Sequence, residues 1–152
     1  MAMSRNINNK PENHRNPSTG YLLIAHGNLS QELLRVLEFI SGPQPRFIAI
    51  GVEHVLDPEH ARDLVKTAVD ELMTDEGVLI FTDLFGGSPS NIALSLLDDK
   101  NIEIVAGINL PMLIYAAHFD DDLPLKEKAK KLRDYGAKNI FVASEVLSTK
   151  QD

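Results

Sequence analysis

The stretch GVLIFTDLFGGSPSNIALSLL, from Gly77 to Leu97, decides the fold of this chain. Its first part, Val78 to Thr82, is a continuous apolar run, which is typical of a strand buried on both faces of a parallel sheet. Asp83 follows at once, so a carboxylate stands where an apolar residue would be expected. The stretch therefore predicts a central strand that ends in an acid.

The second half of the stretch combines a glycine turn with the start of a helix. Gly86 and Gly87 let the backbone turn tightly and approach a ligand closely. Ser88 is a favoured N-cap residue, and Pro89 suits the first helical position because no N–H is needed there. The Ser88 hydroxyl and the N–H groups of the turn together predict a site for a small anion. No lysine follows the glycines and no G-x-G-x-x-G occurs, so neither a P-loop nor a dinucleotide-binding loop is predicted.

Apolar runs alternate with amphipathic helical patterns along the rest of the chain. Strands are predicted at Tyr21 to Ala25, Phe47 to Val52, Val78 to Thr82, Ile102 to Ile108 and Asn139 to Ala143. This alternation predicts an α/β fold with an open, doubly wound parallel sheet and helices on both faces. Ligands of such sheets bind at the carboxyl ends of the strands, where the strand order reverses.

That rule selects the residues that follow each strand, namely His26, Glu53 to Leu56, Asp83 to Ser88, and Asn109. In the common strand order 2-1-3-4 the first and third strands are neighbours, so His26 and Asp83 are expected to lie together. A carboxylate beside an imidazole keeps a hydrogen on one ring nitrogen and leaves the other as a neutral nucleophile. The alternatives are a structural histidine and an acid that caps a turn or a helix.

The other histidines are weaker candidates. His14 lies in a polar segment, His60 is expected on a helix surface, and His118 is expected at a helix end. His54 follows a strand and is expected within reach of the site. A metal site would need His54 together with the predicted histidine–aspartate pair, and none is expected.

The composition is that of an ordinary soluble globular domain of 152 residues, with 43% hydrophobic and 24% charged residues. Cysteine is absent, which excludes disulfides and fits a cytosolic protein. No apolar run approaches the ~20 residues that span a bilayer. The net charge is −7, to which residues 1–20 contribute +2 and the remainder −9. An acidic domain repels phosphate backbones, so nucleic acid is not expected as a partner.

The chain is expected to form one domain with a tail at each end. Residues 1–20 have few large apolar side chains and predict a flexible tail. Residues 21–145 are expected to form the folded domain, and residues 146–152 a polar C-terminal tail.

Three stretches, LLIAHGNLSQELL, GVLIFTDLFGGSPSNIA and IVAGINLPML, carry a resemblance to a known family. With these stretches the chain resembles the IIA component of the mannose/fructose/sorbose class of the bacterial sugar phosphotransferase system. The resemblance spans about Tyr21 to Ala143. One difference is Asn28, because the family often has an aromatic residue two positions after its histidine.

The resemblance implies a role for each residue of the site. His26 matches the histidine that accepts a phosphoryl group through Nε2, and Asp83 matches the aspartate that bonds the other ring nitrogen. Gly86, Gly87 and Ser88 fall where the phosphoryl oxygens are received. No Mg²⁺ or other cofactor is implied, because a phosphohistidine donor is already activated.

The resemblance also implies partners and an assembly. The phosphocarrier protein HPr would donate the phosphoryl group and a IIB component would accept it. The protein would be cytoplasmic, with indirect association with the membrane through a permease complex. It would form a homodimer in which the last strand, Asn139 to Ala143, runs antiparallel and is exchanged between subunits.

Three functions are therefore compatible with the sequence. The leading one is a phosphoryl carrier, a transferase intermediate that uses His26. The second is a stand-alone regulatory switch, in which the phosphorylation state of His26 controls a protein partner. The third is a small metal-dependent hydrolase that uses the same pocket.

Overall fold

The computed structural model describes residues 19–53, 57–98, 101–119 and 122–149. Four strands form the sheet: β1 (Gly20–His26), β2 (Phe47–Val52), β3 (Val78–Thr82) and β4 (Ile102–Ala106). Six helices are described: α1 (Leu29–Ser41), α2 (Pro58–Leu72), α3 (Ser88–Leu94), α4 (Leu110–Ala117), α5 (Leu125–Lys138) and α6 (Ala143–Ser148).

The strands form one parallel sheet in the order β2-β1-β3-β4, as the sequence predicts. The strand order reverses at the junction of β1 and β3, the two inner strands. In the register of the sheet, His26 pairs with Val52 on one side, and Ile24 pairs with Thr82 on the other. The carboxyl ends of β1 and β3 therefore lie side by side, with Asp83 one residue beyond β3.

Alternate side chains of the strands pack into two separate cores, one on each face of the sheet. This explains why the strand sequences are continuous apolar runs. One face carries Tyr21, Leu23, Phe81 and their neighbours, covered by α1, α4 and α5. The opposite face carries Leu22, Ile24, Ile80 and their neighbours, covered by α2 and α3. Helices on both faces are thus confirmed.

The start of α3 differs from the sequence prediction. Gly87, with extended backbone, is the N-cap residue, and Ser88 is already the first helical residue. The prediction that Ser88 is the N-cap was wrong, because the hydroxyl that bonds the preceding turn belongs to Ser90, two residues further on. Asp57 and Pro58, by contrast, take the predicted N-cap and first helical positions of α2.

The predicted last strand, Asn139 to Ala143, is not a strand in this chain. Residues 140–142 belong to no regular element, and α6 begins at Ala143, a helix that the sequence pattern does not predict. The side chains of Ile140, Phe141 and Val142 are 75%, 67% and 57% exposed. Branched and aromatic residues favour a strand only where another strand can pair with them, and within the described chain this segment has none.

None of the helices in the described ranges combines the length and the apolar character that a membrane span needs.

Candidate active site at the ends of the two inner strands

His26 and Asp83 meet at the carboxyl edge of the sheet, as the sequence predicts. His26 is the last residue of β1, and Asp83 directly follows β3. The Nδ1 atom of His26 lies 2.7 Å from Oδ2 of Asp83. The two side chains are 33% and 10% exposed, so the aspartate is shielded while the imidazole is open to an incoming group.

The Asp83 carboxylate is held by three hydrogen bonds. Oδ2 accepts from the backbone N–H of His26 at 3.0 Å as well as facing the ring nitrogen, and Oδ1 accepts from the N–H of Leu84 at 2.9 Å. Burial raises the pKa of Asp83, but the hydrogen bonds from His26 and Leu84 outweigh it, so the pKa lies below its usual value. The group is therefore a carboxylate at neutral pH.

An ionised Asp83 determines which of the two ring nitrogens of His26 carries the hydrogen. Because a carboxylate only accepts hydrogen bonds, Nδ1 of His26 is the ring nitrogen that carries the hydrogen. The lone pair of a neutral ring is then on Nε2. The geometry thus gives a nucleophilic imidazole with a fixed orientation.

The glycine turn lies directly against this imidazole. A Cβ atom at Gly87 would be 2.8 Å from Cε1 of His26 and 3.3 Å from Nε2, so any larger residue would displace the ring or the turn. Gly86 has a φ of 91°, which side chains of L-residues rarely allow. The two positions therefore require glycine for different reasons. Gly86 makes the turn, and Gly87 allows the close approach to Nε2.

A cavity of about 300 Å³ opens on the α2 and α3 side of the imidazole. It is lined by His26, Val52, Glu53, Pro58, Ala61, Ser88, Asn91 and Ile92. Ser88 is exposed, so its hydroxyl is accessible from this cavity. The predicted site residues His26 and Ser88 thus line the same cavity.

Ser90 is a residue of the turn that sequence reasoning missed. It is fully buried, and its Oγ accepts a hydrogen bond from the Gly86 N–H at 2.8 Å and donates one to the Gly87 carbonyl at 2.9 Å. The only signal in the sequence is the second serine of SPS. A serine three residues after a glycine that starts a helix is well placed to bond back to the first turn.

The remaining polar candidates lie elsewhere or serve the fold. His60 is exposed on α2, and His118 ends α4 with Nδ1 2.8 Å from the Ile114 carbonyl. Asn109 caps α4 by accepting from the Met112 N–H, and its amide donates to α5. His14 and His54 lie outside the described residues. Within the described ranges, no group of three or more histidines and acids is arranged to hold a metal ion.

The fold and this edge of the sheet define a class: an open parallel α/β domain with an aspartate-oriented histidine and a glycine turn where the strand order reverses. Residues 20–133 match the family EIIA-man, described as the PTS system fructose IIA component. The chain belongs to this family, as its three motif stretches predict.

Individual relatives agree with this assignment. The mannose-specific EIIAB component of the PTS system of Escherichia coli strain K12 is 34% identical over 103 residues, which are 65% of this chain and 31% of that protein. The fructose-specific EIIA component of Bacillus subtilis is 26% identical over 133 residues, 83% of this chain and 87% of that protein. The chain thus spans about a third of the length of the mannose-specific relative and most of the length of the fructose-specific one.

Solved structures show the same fold. The crystal structure of the PTS IIA protein associated with the fucose utilization operon of Streptococcus pneumoniae has a TM-score of 0.73 and 29% sequence identity. The match covers 85% of this chain and 96% of that protein.

Proposed function

We propose that this protein is a phosphoryl carrier of the sugar phosphotransferase system, which accepts a phosphoryl group on Nε2 of His26 from phospho-HPr and passes it to a IIB protein. The observation that carries the proposal is the 2.7 Å contact between Nδ1 of His26 and Oδ2 of Asp83 in a member of the IIA family. That contact presents Nε2 to the exposed side of a fixed ring.

The transfer is an exchange of one P–N bond for another. The lone pair of His26 Nε2 attacks phosphorus in line, the P–N bond of the donor phosphohistidine breaks, and its electron pair returns to the donor ring. The hydrogen on Nδ1 of His26 stays in place. The ring gains positive charge as the new bond forms, and the adjacent Asp83 carboxylate stabilises that charge.

The phosphoryl oxygens are received beside the glycine turn. Gly86, Gly87 and Ser88 supply the turn, the close approach to the ring, and an accessible hydroxyl. A hydrogen-bond donor that is already in place, such as this hydroxyl, stabilises the negative charge that spreads over the three phosphoryl oxygens in the transition state. The donor phosphohistidine and the product phosphohistidine are both phosphoramidates, so the proposed transfer exchanges one activated bond for another and uses no metal ion or cofactor.

HPr and IIB would approach from the open side of the imidazole. Leu84 and Phe85 flank the site and are 50% and 74% exposed, and a protein that docks over His26 would cover them. Asn28, also exposed, follows the histidine in place of the aromatic residue frequent in the family. The protein would act in the cytoplasm and reach the membrane through its permease partners. It would work as a homodimer.

Labelling from phosphorylated HPr tests the proposal. The wild-type protein is expected to acquire an acid-labile, base-stable phosphoryl group, and His26→Ala is expected to acquire none. His60→Ala removes an exposed histidine of α2 and is the matched control, which should label like the wild type. Asp83→Asn should label slowly, by about a hundredfold or more, because the charge that stabilises the imidazolium is lost.

The same assay separates the other candidate functions. Onward transfer of the label to a IIB protein supports a carrier. A stable label that no IIB protein accepts, together with a change of affinity for a protein partner, supports a regulatory switch. Continuous release of inorganic phosphate supports a hydrolase. Labelling of His26→Ala at the wild-type rate would contradict the proposed acceptor.

A further inference from the structure

We propose that Ser90 is a positioning residue for phosphoryl transfer: its buried hydroxyl fixes the glycine turn at the distance from the His26 ring that transfer needs. The inference rests on the proposed phosphoryl acceptance by His26. It concerns a residue that is fully buried and bonds the two glycines of the turn, so a docked partner protein would not reach it.

The Ser90 hydroxyl bonds both glycines of the turn at once. Its oxygen accepts from the Gly86 N–H at 2.8 Å, and its hydrogen goes to the Gly87 carbonyl at 2.9 Å. A hydroxyl is suited to this task because it accepts and donates through the same atom. Gly86 has no Cβ and a φ of 91°, so the turn has little stiffness of its own and depends on these bonds.

The carbonyl of Gly87 is fixed in direction as well as in place. It accepts from the Asn91 N–H at 3.0 Å in addition to the Ser90 hydroxyl, so it points into α3. No peptide bond in the described chain is cis, and in a planar trans peptide the N–H of the next residue points the opposite way. The Ser88 N–H therefore points away from the body of α3.

The Gly86 N–H has a different role from the other groups of the turn. Because it donates to Ser90, it is directed into the protein and stabilises the turn. Gly86 thus contributes shape, while Gly87 and Ser88 face the phosphoryl group. Gly87 is the residue of the turn that lies against the ring. It has no side chain on that side, and a Cβ there would be 3.3 Å from Nε2.

Loss of the Ser90 hydroxyl removes both bonds and lets the turn shift relative to Nε2. A misplacement of about 1 Å slows a positioned reaction by about a hundredfold. In Ser90→Ala the transfer rate at saturating phospho-HPr is therefore expected to fall by about tenfold to a hundredfold. The concentration of HPr that gives half the maximal rate is expected to stay unchanged, because the buried hydroxyl lies outside any docking surface.

Two further variants sharpen the experiment. Ser95→Ala removes another serine hydroxyl, which bonds the Ile92 carbonyl near the end of α3 on its exposed side, and should transfer at the wild-type rate. Ser90→Cys keeps a side chain of similar shape with a weaker donor and acceptor, and should be slowed less than Ser90→Ala. Thermal unfolding of each variant gives the folded fraction at the assay temperature.

A nuclear magnetic resonance measurement tests the geometry without phosphoryl transfer. In Ser90→Ala the Gly86 amide should exchange faster with solvent, and the Cε1–H signal of His26 should shift, because Gly87 lies against that atom. These two signals decide the role of Ser90 even if the wild-type protein takes no label from HPr. In that case the proposed function fails and the positioning of the turn is still tested.

The inference is overturned by Ser90→Ala that transfers at the wild-type rate, or by a loss of rate that equals the loss of folded protein. Unchanged Gly86 exchange and an unchanged His26 signal would overturn it as well.

Discussion

One carboxylate oxygen of Asp83 contacts His26 at two points. Oδ2 of Asp83 faces both the backbone N–H and the ring Nδ1 of His26, at 3.0 and 2.7 Å. The carboxylate therefore holds the ring relative to the backbone of the same residue. An amide oxygen in the same place could also accept both hydrogens, but only an ionised carboxylate adds a negative charge that stabilises a positive ring.

At the scale of residues the sequence predicts that His26 and Asp83 meet, but it does not predict that Ser90 holds the turn beside them. His26 and Asp83 follow apolar strands that are neighbours in a common sheet order, so their meeting is predictable. Ser90 is not, because SPS offers two serines for one turn, and the choice between them depends on where the helix begins. The structure begins α3 at Ser88, which gives the bonding role to the serine inside the helix.

The first prediction at this scale concerns Gly87→Ala. The new Cβ would lie 2.8 Å from Cε1 of His26, closer than real Cβ contacts, so the ring or the turn has to move. Labelling by phospho-HPr is expected to slow by at least about tenfold while the fold is retained, because the φ of Gly87 is −83° and suits alanine.

Gly42→Ala is the control for this substitution. A Cβ at Gly42 meets no atom within 4 Å, but the φ of 79° strains it, so this variant should lose stability and keep its labelling rate. A Gly87→Ala protein that labels as fast as the wild type would show that the close approach has no part in transfer.

At the scale of elements, an ion pair between a buried lysine and a partly exposed glutamate connects three segments at the opposite end of the sheet. Nζ of Lys128 in α5 donates to Oγ1 of Thr19 and to Oε2 of Glu76, both at 2.8 Å. Thr19 precedes β1 and Glu76 precedes β3, and Lys128 is only 4% exposed. The inner strands, which carry the site at their carboxyl ends, are thus anchored at their amino ends.

Lys128→Met tests this anchor. The substitution keeps the length of the side chain but leaves the buried Thr19 hydroxyl and the Glu76 carboxylate without their shared donor. The free energy of unfolding is expected to fall by about 1–3 kcal/mol. Chemical denaturation followed by circular dichroism measures the change.

Lys130→Met provides the comparison on the same helix. Lys130 pairs with Glu127 at 2.9 Å, but both side chains are about half exposed. Exposed pairs of this kind contribute about 0.2–1 kcal/mol, so the loss should be small. Equal losses in the two variants would mean that Lys128 does not anchor the strands.

The elements themselves are largely predictable from the sequence. Continuous apolar runs locate all four strands, and β2 and β3 have the predicted bounds because polar residues or glycine flank them. The segment after α5, predicted as a last strand that could be exchanged in a dimer, forms no strand within the single chain. Its composition favours a strand, but pairing depends on a neighbour that local sequence does not reveal.

For the whole molecule, the important feature is a sheet with two open edges. Within the described residues β2 and β4 each pair on one side only. A groove of about 290 Å³ runs along β4, between that strand and α5. The exposed apolar segment at residues 140–142 adds a second surface that water solvates poorly.

We predict that this segment mediates the proposed homodimer. Replacing Ile140 and Phe141 together with aspartate places charges on the apolar surface and should convert the dimer to a monomer. Analytical ultracentrifugation measures the change of mass. The fold should survive, because both side chains are more than half exposed in the single chain.

Phe39→Asp is the matched control, since Phe39 is 87% exposed on α1 and lies outside the segment. This variant should keep the mass of the wild type. A wild-type protein that sediments as a monomer, or an unchanged dimer in the double variant, would contradict the role of the segment.

The strand order also places the residues of the site and the surfaces available for subunit contact in different parts of the molecule. His26, the proposed acceptor, ends one inner strand and Asp83 directly follows the other, whereas the exposed surfaces lie at the β4 edge and beyond α5. Substitutions at that edge can therefore accumulate, or adapt to a new quaternary arrangement, without disturbing the proposed acceptor. A lineage can in this way change how its subunits associate while it keeps one chemical reaction intact.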